Sequence, residues 1–163
     1  MIPEYKRIID GAKAREKETL RRMTHLAKFN RSGFDDTLRG YHKEAFARID
    51  CLKCGNCCRA LGPRFADKDV KRIAKEIGLS PKAYFERYLQ DDRDPGFYVL
   101  REPPCPYLND DNTCAEFDCR PEWCGEFPHT DSHNAQRHLV RLAYSALVCP
   151  AAAIIAQRVI EEY

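Results

Sequence analysis

The chain has 163 residues, a formal net charge of +2, 44% hydrophobic residues and 32% charged ones. That length suits one domain able to bury its own core, and that composition excludes an intrinsically disordered chain. So small a net charge gives no footing for a nucleic-acid partner. In chain order, Tyr5, Ile8, Ile9, Ala12, Leu20, Met23, Leu26 and Ala27 recur at mostly helical spacing. They predict one long amphipathic helix over residues 3–29, with Pro3 near its start and NRSG at 30–33 as its stop. A second helix is expected from about Phe34 to Ile49, with Leu38, Tyr41, Ala45 and Ile49 on one face.

A shorter helix pair follows the first cysteines. Asp67 is the expected cap of a helix ending at Ile77 before Gly78, and Ser80-Pro81 opens another that runs to about Leu89. GFYVL, ending at Leu100, predicts a short strand. Residues 101–131 are rich in Pro, Asn, Asp and Cys without a period, and predict a loop that something beyond its own core must fix. A last helical region is expected from about Ser132 to the C-terminus, interrupted at Cys149-Pro150. Within it LAYSALVCPAAAIIA, residues 142–156, is too short for a membrane span of about 20 apolar residues and reads as a buried helix, so no membrane partner is expected. The fold class expected is mainly α: a single domain of helices around a cysteine-rich, loop-dominated metal site, with at most a short strand or hairpin. Residues 1–49 form N-terminal helices and 50–163 a cysteine-cluster domain, together one compact unit.

The nine cysteines carry the chemistry. MIPEYKRIIDGAKAREKETL has no apolar stretch of the secretory kind, and the cysteine count is odd, so a disulfide-stapled secreted protein is disfavoured. A cytoplasmic chain with clustered thiols points to metal ligands or redox groups. CLKCGNCCR supplies Cys51, Cys54, Cys57 and Cys58, and two-residue spacers let successive sulfurs turn towards one ion or cluster. Cys105, Cys114, Cys119, Cys124 and Cys149 follow, with proline after Cys105 and Cys149 as in the Cys-Pro of ferredoxin-type motifs. The doublet Cys57-Cys58, read as extended chain, would send its two thiols to opposite sides and so to different metal positions.

CLKCGNCCR, CPYLNDDNTC and CAEFDCRPEWCGEFP together resemble the CxxCxxCC cysteine-cluster family (YkgJ-like), described as a zinc- or iron-chelating domain, over about residues 50–155. The resemblance implies metal ligands at Cys51, Cys54, Cys57, Cys58, Cys105, Cys114, Cys124 and Cys149. Cys119 falls where the family usually has no cysteine and is expected to be a spare thiol. Phe117 stands where the family often has tyrosine, so no hydroxyl role carries over. Arg59 and Arg120 match family arginines, and guanidinium donors beside a thiolate-rich site would stabilise its negative charge. Four thiolates suit Zn2+ and the irons of an iron–sulfur cluster equally. The C-x2-C-x2-C run with a remote Cys-Pro resembles 4Fe–4S ligation, with Cys51, Cys54 and Cys57 as three ligands. A related domain in flagellin lysine N-methylases is associated with an iron–sulfur cluster.

Three functions are consistent with these residues: an iron–sulfur protein of the 4Fe–4S type with a protein partner for electron or metal transfer, a zinc-binding structural module, and part of a cluster-dependent methyltransferase-like enzyme. No G-x-G-x-x-G or other cofactor loop is present. His129, in FPHT, is expected to hydrogen-bond near the site without ligating; His133 and His138 lie further on. His25 and His42 read as surface residues on helices. Glu116, Glu122 and Glu126 surround the cysteines without a substrate to define an acid–base role. The helix pair over residues 67–90 has a helix–turn–helix look, but Asp67, Asp69, Glu76 and Glu86 interleave Lys68, Lys71, Arg72 and Lys75. That pattern reads as a solvated face, not a DNA-binding one.

Overall fold

A computed structural model describes residues 1–29 and 31–163; Asn30, the first residue of the predicted NRSG stop, lies outside the described residues. The fold is mainly α, as expected, with nine α-helices and one three-stranded sheet among the described residues. The chain divides into two compact units, one formed by Met1–Cys54 with Glu126–Tyr163 and the other by Gly55–Gly125.

In the first unit, the predicted long N-terminal helix is two helices, α1 (Pro3–Ala14) and α2 (Glu16–Leu26). Arg15 leaves the helical region at φ −108°, ψ 13°. No residue between Ala12 and Met23 is buried, so no packing holds a continuous helix through that stretch. α3 (Phe34–Arg48) keeps its expected boundaries and buries Phe34, Leu38, Tyr41 and Ala45. A short 3₁₀ turn, Ala135–His138, leads into α8 (Leu139–Ser145), and α9 (Pro150–Glu162) begins with proline in its first turn. α1 packs on α9, α2 chiefly on α8, and α3 on α9. The apolar stretch 142–156 is core: Leu142, Ala151, Ala152 and Ile155 are at most 1% exposed. Among the described residues no single helix is long and apolar enough to cross a membrane.

The second unit holds the sheet and the rest of the cysteine-rich loop. β1 (Arg64–Ala66), β2 (Leu89–Asp91) and β3 (Phe97–Leu100) are ordered β1-β3-β2, all antiparallel, with Phe65 opposite Tyr98 and Gln90 opposite Val99. Only β3 was expected; β1 and β2 have three residues each, too few to print an alternation in sequence. α5 (Asp67–Glu76) and α6 (Pro81–Tyr88) pack beside the sheet around Phe65, Ile73, Tyr84 and Leu89. Ser80 caps α6 as expected, its hydroxyl accepting from the Ala83 N–H at 3.1 Å. Asp67 does not cap α5: Ala66 holds that position, and Asp69 reaches back to accept its N–H at 3.0 Å.

The helix pair is not a wholly solvated face, because Asp69 is fully buried. Besides the Ala66 N–H it accepts from Arg72 Nη2 at 2.7 Å and from the Glu122 N–H at 3.4 Å. Arg72 in turn donates to the carbonyls of Arg120 at 2.9 Å and Cys119 at 3.4 Å. A buried carboxylate is tolerated when its lone pairs are all satisfied and a guanidinium balances its charge. Here that arrangement fastens the Cys119–Glu122 segment to α5.

Candidate metal centre

In the second unit the cysteines are brought in from three short segments. Gly55, at φ +60°, opens α4 (Asn56–Ala60), which carries Cys57 and Cys58. A Cβ on Gly55 would lie 2.5 Å from Asn112 Oδ1 and closer still to Arg59 Nη1, and the Arg59 guanidinium donates to Asn112 Oδ1 through Nη2. Glycine is therefore required there for both conformation and space. Because the doublet is helical and not extended, the expectation that its thiols face opposite sides is corrected. Their Sγ atoms are 3.9 Å apart. Two thiolates at about 2.3 Å from one tetrahedral ion are separated by about 3.8 Å, so the doublet has the spacing of two ligands of one ion.

Cys105 and Cys114 lie at the two ends of a small hairpin. The Cys105 N–H donates to the Cys58 carbonyl at 2.8 Å, tying the hairpin to α4. Leu108 bridges to Cys114, and the Ala115 N–H donates to the Tyr107 carbonyl at 2.8 Å. The Tyr107 hydroxyl donates to that of fully buried Tyr84 at 2.9 Å, anchoring the hairpin in the core. Cys124 sits on α7 (Glu122–Glu126), its N–H bonded to the Pro121 carbonyl at 2.9 Å.

The electrostatics identify which thiols share an environment. Burial pushes Cys124 up to about 12, with further contributions from Cys58, Cys105 and Cys114. Burial also raises Cys105 to about 11, with Cys58 and Cys114 adding to it, and raises Cys114, again with Cys58 adding. Cys58 moves the other way, to about 7, first through the Cys57 thiol beside it and then, against burial, through Arg59. Arg120 lowers both Cys114 and Cys124. It is held by donation to the Phe117 carbonyl at 3.0 Å and by stacking 3.7 Å from the exposed Phe117 ring. Both arginines singled out in the sequence therefore act on this group of thiols.

Cys119 has a different environment. Its thiol donates to Glu116 Oε2 at 3.2 Å, and burial followed by Glu116 pushes it up to about 11.

The first unit contains Cys51, Cys54 and Cys149, the last two buried in one core cluster. The Tyr5 hydroxyl accepts from the Asp50 N–H at 2.9 Å and donates to the Arg48 carbonyl at 3.3 Å, fixing the chain at the end of α3. Asp50 Oδ1 caps the 3₁₀ turn Cys51–Lys53 by accepting from the Leu52 N–H at 2.9 Å. Cys149 is the N-cap of α9, its Sγ 3.5 Å from the Ala152 N–H. Burial pushes it up to about 12, and Cys51 and Cys54 raise it further, against the α9 backbone N–H groups. Cys54 and Cys149 are buried, whereas Cys51 is exposed.

His129 is buried in the first unit at φ +64°, its Nδ1 3.5 Å from Glu126 Oε2. Burial, with His138 and Arg141 nearby, lowers it to about 4. His25 and His133 are exposed, whereas His42, expected on the surface, is half-buried with Nδ1 2.9 Å from Thr130 Oγ1.

Among the described residues, no three Cys, His, Asp or Glu side chains are drawn tightly enough to close around an ion. The donor chemistry nevertheless fits zinc or iron: soft sulfur donors, grouped within range of one another's charge, with guanidinium groups beside one of the groups. Asp69, Arg72, Asn112 and Tyr84 are the supporting residues that sequence reasoning missed. Asp69 and Arg72 looked like members of an interleaved surface charge pattern, and only burial distinguishes them.

A family model described as "CxxCxxCC: Putative zinc- or iron-chelating domain" matches residues 50–150. No curated protein and no solved structure matches the chain.

Proposed function

We propose that this chain, which belongs to the CxxCxxCC family of zinc- or iron-chelating domains, is an iron–sulfur protein with a second, thiolate-bound ion. The observation that supports the reading is that Cys149, from the remote Cys-Pro, lies in one compact unit with Cys51 and Cys54 of the C-x2-C run and is buried in the same core cluster as Cys54. A C-x2-C with a remote Cys-Pro supplies part of the C-x2-C-x2-C and Cys-Pro pattern that resembles 4Fe–4S ligation. These three thiolates would hold the cluster together with a further ligand. When bound, such a cluster supplies one-electron redox chemistry, and a protein partner exchanging electrons follows from it.

The second ion draws its ligands from Cys57, Cys58, Cys105, Cys114 and Cys124. The 3.9 Å spacing of the Cys57 and Cys58 sulfurs favours one tetrahedral ion there, zinc or iron, in a structural role. Arg59 and Arg120 offset the charge of its thiolates.

Iron, zinc and acid-labile sulfide analysis of anaerobically purified protein tests both parts. Wild type is expected to be brown and to carry sulfide together with a second metal equivalent. Cys149→Ser should lose the colour and the sulfide, whereas Cys124→Ser should lose the second metal and keep the sulfide. Colourless, sulfide-free wild type with stoichiometric zinc would reject the iron–sulfur reading and leave the zinc module.

A further inference from the structure

A second site, remote in chemistry from the cysteines, lies in the first unit. A cavity of about 450 Å³ is lined by Arg7, Arg15, Arg48 and Arg158, by the single carboxylate of Glu161, and by Ile8 and Ile154 on its apolar side. A smaller cavity of about 210 Å³ shares Arg15, Ala153, Gln157 and Glu161 with it, extends the groove and adds the carboxylate of Glu18. Four guanidiniums against the carboxylates of Glu161 and Glu18 leave the two cavities together at +2. Among the described residues none of the four arginines is in an ion pair, although the second unit satisfies Arg64 with two aspartates and Arg72 with one. Arg15 is oriented by donation to Gln157 Oε1 at 3.1 Å, and Arg158 by the Tyr41 ring 5.2 Å away.

We infer that this groove binds a small organic phosphate. Like charges gathered in excess of their counter-charges raise the potential of the groove, and a multivalent anion relieves it. Guanidinium forks match phosphate oxygens in pairs, which makes arginine the side chain suited to this task. The volume lies in the ordinary range for small-molecule sites. Ile8 and Ile154 give an apolar surface for the organic body of the ligand, so phosphate on an apolar group should bind better than phosphate alone. The inference does not depend on which metal the cysteines hold.

The test is calorimetric titration of the full-length protein with phenyl phosphate and with inorganic phosphate, at fixed ionic strength. Saturable one-to-one binding of phenyl phosphate is expected, at least tenfold tighter than inorganic phosphate. Arg7→Gln and Arg48→Gln, both exposed positions whose replacement leaves the core intact, should each weaken it by about tenfold. Arg21→Gln, outside the groove, should leave it unchanged. Binding that Arg21→Gln weakens equally, or no saturation at all, would overturn the inference. So would association with anionic lipid vesicles without binding of phenyl phosphate in solution.

Discussion

Replacing Asp69 with alanine should destabilise the second unit by about 3 kcal/mol. The fully buried carboxylate accepts from two backbone N–H groups, of Ala66 at 3.0 Å and Glu122 at 3.4 Å, and from Arg72 Nη2 at 2.7 Å. Breaking a buried charge pair by removing one partner costs roughly 3–5 kcal/mol. Arg72 is 42% exposed, so water can solvate the guanidinium left behind and the pair's own share falls towards about 1 kcal/mol. The two stranded N–H groups add about 1 kcal/mol each, the longer bond to Glu122 contributing less. For a chain of this size the total corresponds to a fall in melting temperature of roughly 6–12 °C. Asp69→Asn retains an acceptor for Ala66 and should lose about half as much. Urea titration followed by circular dichroism gives the free energies, and hydrogen exchange at the Glu122 amide reports the loop. If Asp69→Ala unfolds at the wild-type urea concentration and protects the Glu122 amide equally, the anchoring role of Asp69 is refuted.

Cys119→Ser should leave metal content almost unchanged, while Cys54→Ser and Cys124→Ser each lower it sharply; metal analysis of the three purified variants decides this. Gly55→Ala should cost roughly 1–3 kcal/mol and loosen metal retention, because a Cβ at φ +60° is strained and collides with the Arg59–Asn112 contact; thermal melting and a chelator-competition titration measure both. His129 is held near 4, below the 6.5 of an unperturbed histidine, chiefly by burial of the neutral ring. Its contribution is therefore fully present above 6.5 and is lost as pH falls from there through about 4, at most about 3 kcal/mol. His129→Asn, which tolerates the left-handed backbone, should flatten the difference in urea midpoint between neutral and mildly acidic solution; an unchanged pH dependence would show that other groups cause it.

The sequence by itself determined the helical class, the boundaries of α3 and α6, the break before Pro150, and the cysteine positions that identify the family. These are properties carried by local spacing: a period of 3.6, a serine before a proline, sulfur donors two residues apart. Only the tertiary structure decided which thiols lie in each unit. Cys149 shares a core with Cys54 because α9 and the turn after α3 belong to one unit, and Cys105 meets Cys58 through a backbone bond between segments far apart in the chain. It also decided that Asp69 is buried, that the N-terminal helix breaks at Arg15, and that Cys57 and Cys58 lie on a helix. In each case the deciding contact or burial comes from residues distant in the chain or from a backbone turn such as that at Gly55, which hydrophobic periodicity does not encode.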